Sequence, residues 1–219
     1  MISVILLSAG EGKRFGGKKQ FIKVAGKPLY MYSLEKVVEK FDDILLVLPE
    51  EDIERIKLPS SVRKVKGGKE RQDSVLEGLL QARGEIVIIH DCARPLASEE
   101  VFEKVSELEG HHGKITAVPA RDTLKEVANS MVVRTLERRN LWHAQTPQAF
   151  ERKVLLECHF RARSEGFYST DDSSLLERYG YKVGIIEGSI WNIKVTYPED
   201  LNLVRLILES MNRGTRERS

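Results

Sequence analysis

The chain has 219 residues, 41% of them hydrophobic, which suits one large domain or one domain with an appendage. Its net charge of +2 carries no global nucleic-acid footprint, and no eighteen-residue apolar run or secretory h-region argues for a membrane span or a leader. The two cysteines, Cys92 and Cys158, form no C-x-x-C pair and indicate no disulfide framework, so a soluble, cytoplasmic setting is expected. Charged residues reach 31% while Asn and Gln are few, a composition that hints at a thermophile.

Ser3 to Leu7 reads as a buried strand that empties into a loop with four glycines and four cations, Ser8 to Gln20. Glycines let backbone N–H groups approach an anion, and Lys or Arg supply the charge a polyphosphate needs. The dinucleotide pattern G-x-G-x-x-G fails at Phe15. The P-loop pattern is nearly met from Gly12 to Lys18, but Lys19 stands where magnesium needs a hydroxyl. The loop therefore reads as a phosphate loop of neither standard form.

Pro28 is expected at the first position of a helix carrying Tyr30, Leu34, Val37, Val38 and Phe41 on one face. Ile44 to Leu48 is the next buried strand, Glu50 to Ile56 a short helix, and Val62 to Val65 a strand running into Gly67-Gly68. A helix with Val75, Leu76, Leu79 and Leu80 follows, stopping near Gly84. Ile86 to Ile89 is a strand ending in His90-Asp91-Cys92-Ala93-Arg94-Pro95. Ser98 caps a helix with Val101, Val105 and Leu108, and Ile115 to Val118 is the strand after it. The alternation predicts an α/β fold, a mostly parallel sheet with helices on both faces and functional loops at the strands' carboxyl ends.

Between Arg121 and Arg139 the alternation breaks. Leu124 to Val127 and Val132 to Leu136 read as a hairpin around Asn129-Ser130, projecting from the sheet. Such a hairpin is unstable alone and must pack on its own domain or on a second subunit. A helix is expected from Glu151 to about Glu165. Thr170-Asp171-Asp172-Ser173 should cap another, with Thr170 the most economical cap. Lys182 to Ile186 and Asn192 to Val195 read as strands, and Leu201 to Met211 as the last helix before a frayed tail, Asn212 to Ser219.

Asp91, at a strand's carboxyl end beside Arg94, is the leading candidate to hold magnesium through oxygen. His90 reads as a packed residue, and His111-His112 lacks zinc spacing. No G-x-S-x-G supports hydrolysis by a serine triad. Lys194, between apolar neighbours, requires an anionic partner. The cations together suit two anionic groups: a polyphosphate at the first loop, and a phosphorylated small molecule near Arg94, Arg138 and Lys194. Nucleotidyl transfer fits this better than a kinase.

Five ordered motifs then carry a resemblance over nearly the whole chain: Ala9 to Gly16 with Lys19-Gln20-Phe21, Gly67 to Val75, His90 to Pro95, Leu141 to Gln148, and Asn192 to Thr196. They resemble the 2-C-methyl-D-erythritol 4-phosphate cytidylyltransferase family of non-mevalonate isoprenoid synthesis. The resemblance implies a Rossmann-like nucleotidyltransferase fold over residues 1–219, magnesium, and a homodimer. In that dimer a β-arm, here about 121–140, reaches over the partner's site. It implies CTP as nucleotide and a polyol phosphate as acceptor. Arg14 and Lys19 match transition-state stabilisers. Ala9, Gly10, Gly12, Gly68, Arg71 and Ser74 match nucleotide contacts. Asp91, Arg94, Thr123, Thr170 and Lys194 match sugar-phosphate contacts, with Thr123 and Arg138 supplied by the partner's arm. Lys194 and Arg138 match the pair that positions the nucleophile.

Three positions depart from the family pattern: Lys18 stands for a proline, and Ser8 and Cys92 for alanines. Gln20-Phe21 sets the register on Lys19. The fused bifunctional form is not expected at this length. A ribitol 5-phosphate cytidylyltransferase shares most of the motifs, though Ala93 leans toward the methylerythritol enzyme. A non-catalytic nucleotide-binding module is the alternative from another class.

Overall fold

The computed structural model describes the backbone of residues 1–216 and side chains as far as Met211. Its elements run β1 (Ile2–Leu7), β2 (Lys23–Val24), β3 (Lys27–Pro28), α1 (Leu29–Val37), β4 (Asp43–Leu48), β5 (Val62–Lys66) and α2 (Arg71–Gln81). They continue with β6 (Ile86–Asp91), α3 (Glu99–Ser106), β7 (Gly113–Pro119), β8 (Lys125–Ala128), β9 (Met131–Thr135) and β10 (Trp142–Glu151). Last come α4 (Arg152–Ser164), α5 (Asp172–Arg178), β11 (Val183–Glu187) and α6 (Pro198–Arg216).

Seven strands form one sheet in the order β11-β7-β10-β6-β1-β4-β5. All are parallel except β10, which runs antiparallel between β6 and β7. Val4, Ile5 and Leu6 of β1 and all of β4 are buried, as continuous apolar runs in a doubly covered sheet should be. On one face α1 and α3 bring Leu34, Val37, Phe102 and Val105 onto Val4, Leu6, Ile44 and Ile88. On the other, α2, α4 and α5 bring Val75, Leu79, Leu155 and Leu175 onto Ile5, Leu45, Val47 and Ile89. A third cluster seats α6 through Leu201, Val204 and Leu208 against Val24, Leu29, Tyr32 and Val195. Among the described residues, no helix is long and apolar enough to cross a membrane.

The predicted α/β sheet with helices on both faces is observed, with corrections in the details. Trp142 to Gln148 belongs to β10, a strand that the sequence reading passed over. From Pro119 to Trp142 the chain turns back through the arm instead of crossing the sheet in a helix, so its return strand runs antiparallel. Pro147, which offers no N–H, sits where the pairing with β7 slips between Gln145 and Gln148. Pro28 precedes α1 as its N-cap rather than opening it. The expected helix from Glu50 shrinks to a 3₁₀ turn, Glu50–Asp52. Asp171, not Thr170, caps α5, its carboxylate accepting from the Ser174 N–H at 3.1 Å. Asn192 to Val195 is no sheet strand; it is a strip whose Val195 N–H bonds the Ala93 carbonyl at 2.8 Å. The last helix runs past Met211 to Arg216, and the end of the predicted tail, 217–219, lies outside the described residues.

Candidate active site at the carboxyl edge of the sheet

Strand order reverses between β1 and β6: β1 leads toward β4, and β6 toward β7. Ligands in open α/β sheets bind at such a switch point, outside the strands' carboxyl ends. The loop after β1 is a tight fold around one carbonyl. Gly12 O accepts from the N–H groups of Phe15, Gly16 and Gly17 at 2.8, 2.9 and 3.3 Å. Gly12 has φ +67°, and a Cβ there would sit 1.9 Å from Gly17 O, so a side chain is excluded twice over. Phe15 anchors the loop on the Val24–Leu29–Val195 cluster. The Gln20 side-chain amide closes it, donating to Gly10 O at 3.0 Å.

Within this loop the two lysines separate. Lys18 turns away, its ammonium 2.5 Å from Asp52 and from Glu51. Lys19 turns toward the crevice. Burial, then repulsion from Lys194 and Arg14, pulls its ammonium below lysine's usual range. Lys19 is therefore close enough to both Lys194 and Arg14 to be repelled by each.

The loop after β5 lies against the first. A Cβ on Gly67 would come 2.4 Å from the Ala9 Cβ, and one on Gly68 2.3 Å from the Asp73 Cβ. The Gly68 N–H donates to Ser74 Oγ at 3.1 Å, and that hydroxyl also reaches Glu70 O at 3.1 Å. Glu70 and Asp73 form a capping box at the start of α2. Ala9 and Ser74 thus meet at Gly67, which joins the two loops, with Arg71 in the first turn of α2.

Asp91 ends β6 at the centre. Arg71 Nε lies 3.2 Å from its Oδ1, and Lys194 Nζ 2.6 Å from its Oδ2. Burial alone would raise this carboxyl, but Arg71, Lys194 and Arg94 outweigh it and hold it far below the usual carboxylate range. The Asp91 N–H donates to Thr146 Oγ1 at 3.0 Å, and that hydroxyl lies 3.1 Å from His90 Nδ1. His90 Nε2 faces the Arg94 carbonyl at 3.3 Å, an obligate acceptor, so the proton sits on Nε2 and Nδ1 accepts. Burial pushes the imidazole down to about 3, so His90 is neutral at neutral pH. It braces the strand end, as expected of a packed residue.

Arg94 donates to the Asn192 carbonyl at 2.7 Å, and the Asn192 amide donates to Thr146 O at 2.9 Å. These bonds carry the strip after β11 onto β10 and deliver Lys194 to Asp91. Beside them opens a cavity of about 500 Å³, lined by Arg71, Asp91, Arg94, Thr146, Thr170 and Lys194 among others. Its wall also includes Gln145, Gln148 and Asp171, which the sequence reading did not single out. The signal was available: the polar residues Gln145, Thr146 and Gln148 in a strand that also carries Ala149 and Phe150, all buried. Thr123 and Arg138 do not join this cavity. Both are exposed on the arm, where Arg138 bonds the Arg121 carbonyl.

Among the described residues, no group of three or more His, Cys, Asp or Glu side chains could cage a metal. Both Asp91 oxygens already face cations. The donor set nevertheless suits magnesium that arrives on a nucleotide, since magnesium needs only one or two carboxylates when phosphates and water fill its other positions.

A family model described as 2-C-methyl-D-erythritol 4-phosphate cytidylyltransferase matches residues 2–210. A relative of that name from Aquifex aeolicus is 58% identical over 208 residues, covering 95% of this chain and 98% of its own. Another, from Halalkalibacterium halodurans, is 39% identical over 225 residues, covering 96% and 98%. The crystal structure of 4-diphosphocytidyl-2C-methyl-D-erythritol synthase from Anaerococcus prevotii is similar with a TM-score of 0.85 at 34% identity, covering 95% and 96%. That of the Thermus thermophilus cytidylyltransferase gives 0.81 at 29%, covering 94% and 98%.

Proposed function

The chain belongs to the 2-C-methyl-D-erythritol 4-phosphate cytidylyltransferase family, and from that premise we propose how its crevice carries out CTP-dependent cytidylyl transfer. A phosphate oxygen of methylerythritol phosphate attacks the α-phosphorus of CTP in line. One P–O bond forms as the bond to the β-phosphate oxygen breaks, releasing pyrophosphate and leaving a CDP-polyol. The attacking phosphate is already ionised at neutral pH, so no general base is required. Catalysis is positioning and charge neutralisation.

The observation that carries this reading is that Lys19 of the glycine loop lies close enough to be repelled by both Arg14 and Lys194, whose ammonium is 2.6 Å from Asp91. The glycine loops at Gly10, Gly12 and Gly68 admit the triphosphate. Arg14 and Lys19 oppose charge growing on the α-phosphate and the leaving group. Lys194, Arg94 and Thr170 take the polyol phosphate in the cavity. Asp91 would be the residue to hold a magnesium ion, which would supply further neutralisation of phosphate charge.

Arg138 and Thr123 complete the site from a second copy of the chain. The arm favours that arrangement: Val127, Met131, Val132 and Val133 are all at least 57% exposed, too much apolar surface for a lone two-stranded hairpin. A cytoplasmic setting suits Cys92 and Cys158, both free thiols. The test is a pyrophosphate-release screen of the four nucleotides against methylerythritol phosphate and ribitol 5-phosphate. CTP with methylerythritol phosphate should turn over best; no release from that pair overturns the reading.

A further inference from the structure

The crevice cations are held by a row of alternating charges that starts outside the crevice. Asp172, the first residue of α5, has a side chain only 1% exposed, and its Oδ2 lies 2.8 Å from Arg71 Nη2, an ion-pair contact rather than an aligned hydrogen bond. Arg71 Nε is 3.2 Å from Asp91 Oδ1, and Asp91 Oδ2 is 2.6 Å from Lys194 Nζ. Four elements distant in sequence contribute one charge each: α5, α2, β6 and the strip after β11. Arg71, Asp91 and Lys194 line the cavity, whereas Asp172 lies behind it. His159 of α4 is the other ionisable group on Asp172, with Nε2 3.8 Å from Oδ1. Burial lowers its pKa, so it brings no charge at neutral pH. Among the described residues, Arg71 is therefore the permanent cation opposite the buried Asp172 carboxylate.

We propose that Asp172 is a positioning residue for the transfer reaction. A guanidinium is a rigid planar fork, so pinning Nη2 fixes where Nε points. With Asp172 in place, Arg71 stays on Asp91 and does not rotate toward incoming phosphate. That matters when Lys194 turns from Asp91 to the polyol phosphate. A buried carboxylate stripped of its cations is costly, and the pinned Arg71 remains as its partner while Lys194 leaves. Asp172 thus acts on the acceptor through two intermediate side chains and touches no substrate. The inference rests on Lys194 acting at the polyol phosphate, as proposed above.

The test is a double-mutant cycle between Asp172 and Lys194, which do not touch. Asp172→Asn keeps the shape and removes the charge; it should lower kcat/KM for methylerythritol phosphate at least about tenfold. In a Lys194→Ala background the same substitution should change kcat/KM by no more than about twofold, because the residue it positions is gone. Arg71→Lys keeps the charge but cannot span both carboxylates; it should reproduce the loss and the silence, and serves if Asp172→Asn does not fold. Losses that multiply in the Asp172→Asn/Lys194→Ala double variant reveal a merely structural role and overturn the inference. So does wild-type kcat/KM in Asp172→Asn alone. Wild-type turnover in Lys194→Ala, by contrast, overturns the reading of the site itself, and this inference with it.

Discussion

Lys18 and Lys19 are neighbours in the chain, yet their ammonium groups serve opposite sides of the loop. Lys18 lies 2.5 Å from the buried Asp52 carboxylate, whereas Lys19 stands in the crevice, close enough to Lys194 and Arg14 to be repelled by both. The structure thereby separates two cations that sequence alone could distinguish only through Gln20-Phe21. Lys19→Ala should lower kcat by about 10²–10³, the usual effect of removing one donor to a developing oxyanion. Lys18→Ala should leave kcat within about threefold, since its ammonium pairs with Asp52 and Glu51 on the side of the loop away from the crevice. Steady-state kinetics of the two variants at saturating CTP decide it; equal losses would mean that the loop carries its charge diffusely.

Asp91 predicts a pH dependence with a definite sign. Its folded pKa lies below its unfolded value, so the stability it contributes is fully present above the unfolded carboxylate range, near pH 4. It is lost only as pH falls toward the depressed folded value. The difference in unfolding free energy between wild type and Asp91→Asn should therefore hold constant from pH 8 to about 5 and shrink below about 4. Denaturant melts of both proteins at each pH measure it. A gap that stays flat below pH 4 would show an ordinary carboxyl pKa, and one that grows as pH falls from 7 to 5 a raised one.

Much of the frame was legible because parallel strands buried on both faces leave unbroken apolar runs, as Ile44 to Leu48 does. The strand β10 was not, because its site-facing half is polar and broken by Pro147. Its burial depends on partners that sequence does not show: Thr146 on Asp91 and Gln148 on Asp171. Lys194 was legible as a lysine in need of an anion, but not which anion; its partner lies 103 positions away. Asp172 hid behind Asp171. Two adjacent carboxylates at a helix start both read as caps, and only the folded chain shows one facing the Ser174 N–H and the other facing Arg71. The Asn192 strip looked like a strand because its side chains alternate, yet its backbone pairs with a loop rather than a ladder.

Lys36 supplies a second pH test of opposite sign. Its ammonium donates to the Pro95 carbonyl at 2.5 Å, and burial lowers its pKa to about 8. A lysine depressed on folding binds fewer protons folded than unfolded between about pH 8 and 10.5, so its contribution becomes more favourable as pH rises through that window. Lys36→Met should remove this slope. The unfolding free energy of wild type minus that of the variant should rise between pH 8 and 10 by an amount on the order of 1–3 kcal/mol. A difference that stays flat would place the ammonium in solvent, clear of the carbonyl it is drawn against.

The arm gives the most direct test of a shared site. Arg138 and Lys194 belong to one chain, but Arg138 lies on the arm and takes no part in the cavity that Lys194 lines. If the arm serves the neighbouring copy, Arg138→Ala and Lys194→Ala are each strongly impaired, though measurably active, as homodimers and complement each other when mixed. A mixed dimer has one site with both residues intact and one with neither. Random exchange at equal amounts makes half of the dimers mixed, so roughly a quarter of wild-type activity should return. Replacing Val132 and Val133 with Glu places charge on both exposed faces of the arm, and should yield monomers in a sedimentation experiment while abolishing complementation. If each copy instead used its own Arg138, every site in a mixed dimer would lack one residue, and mixing would restore nothing at any ratio.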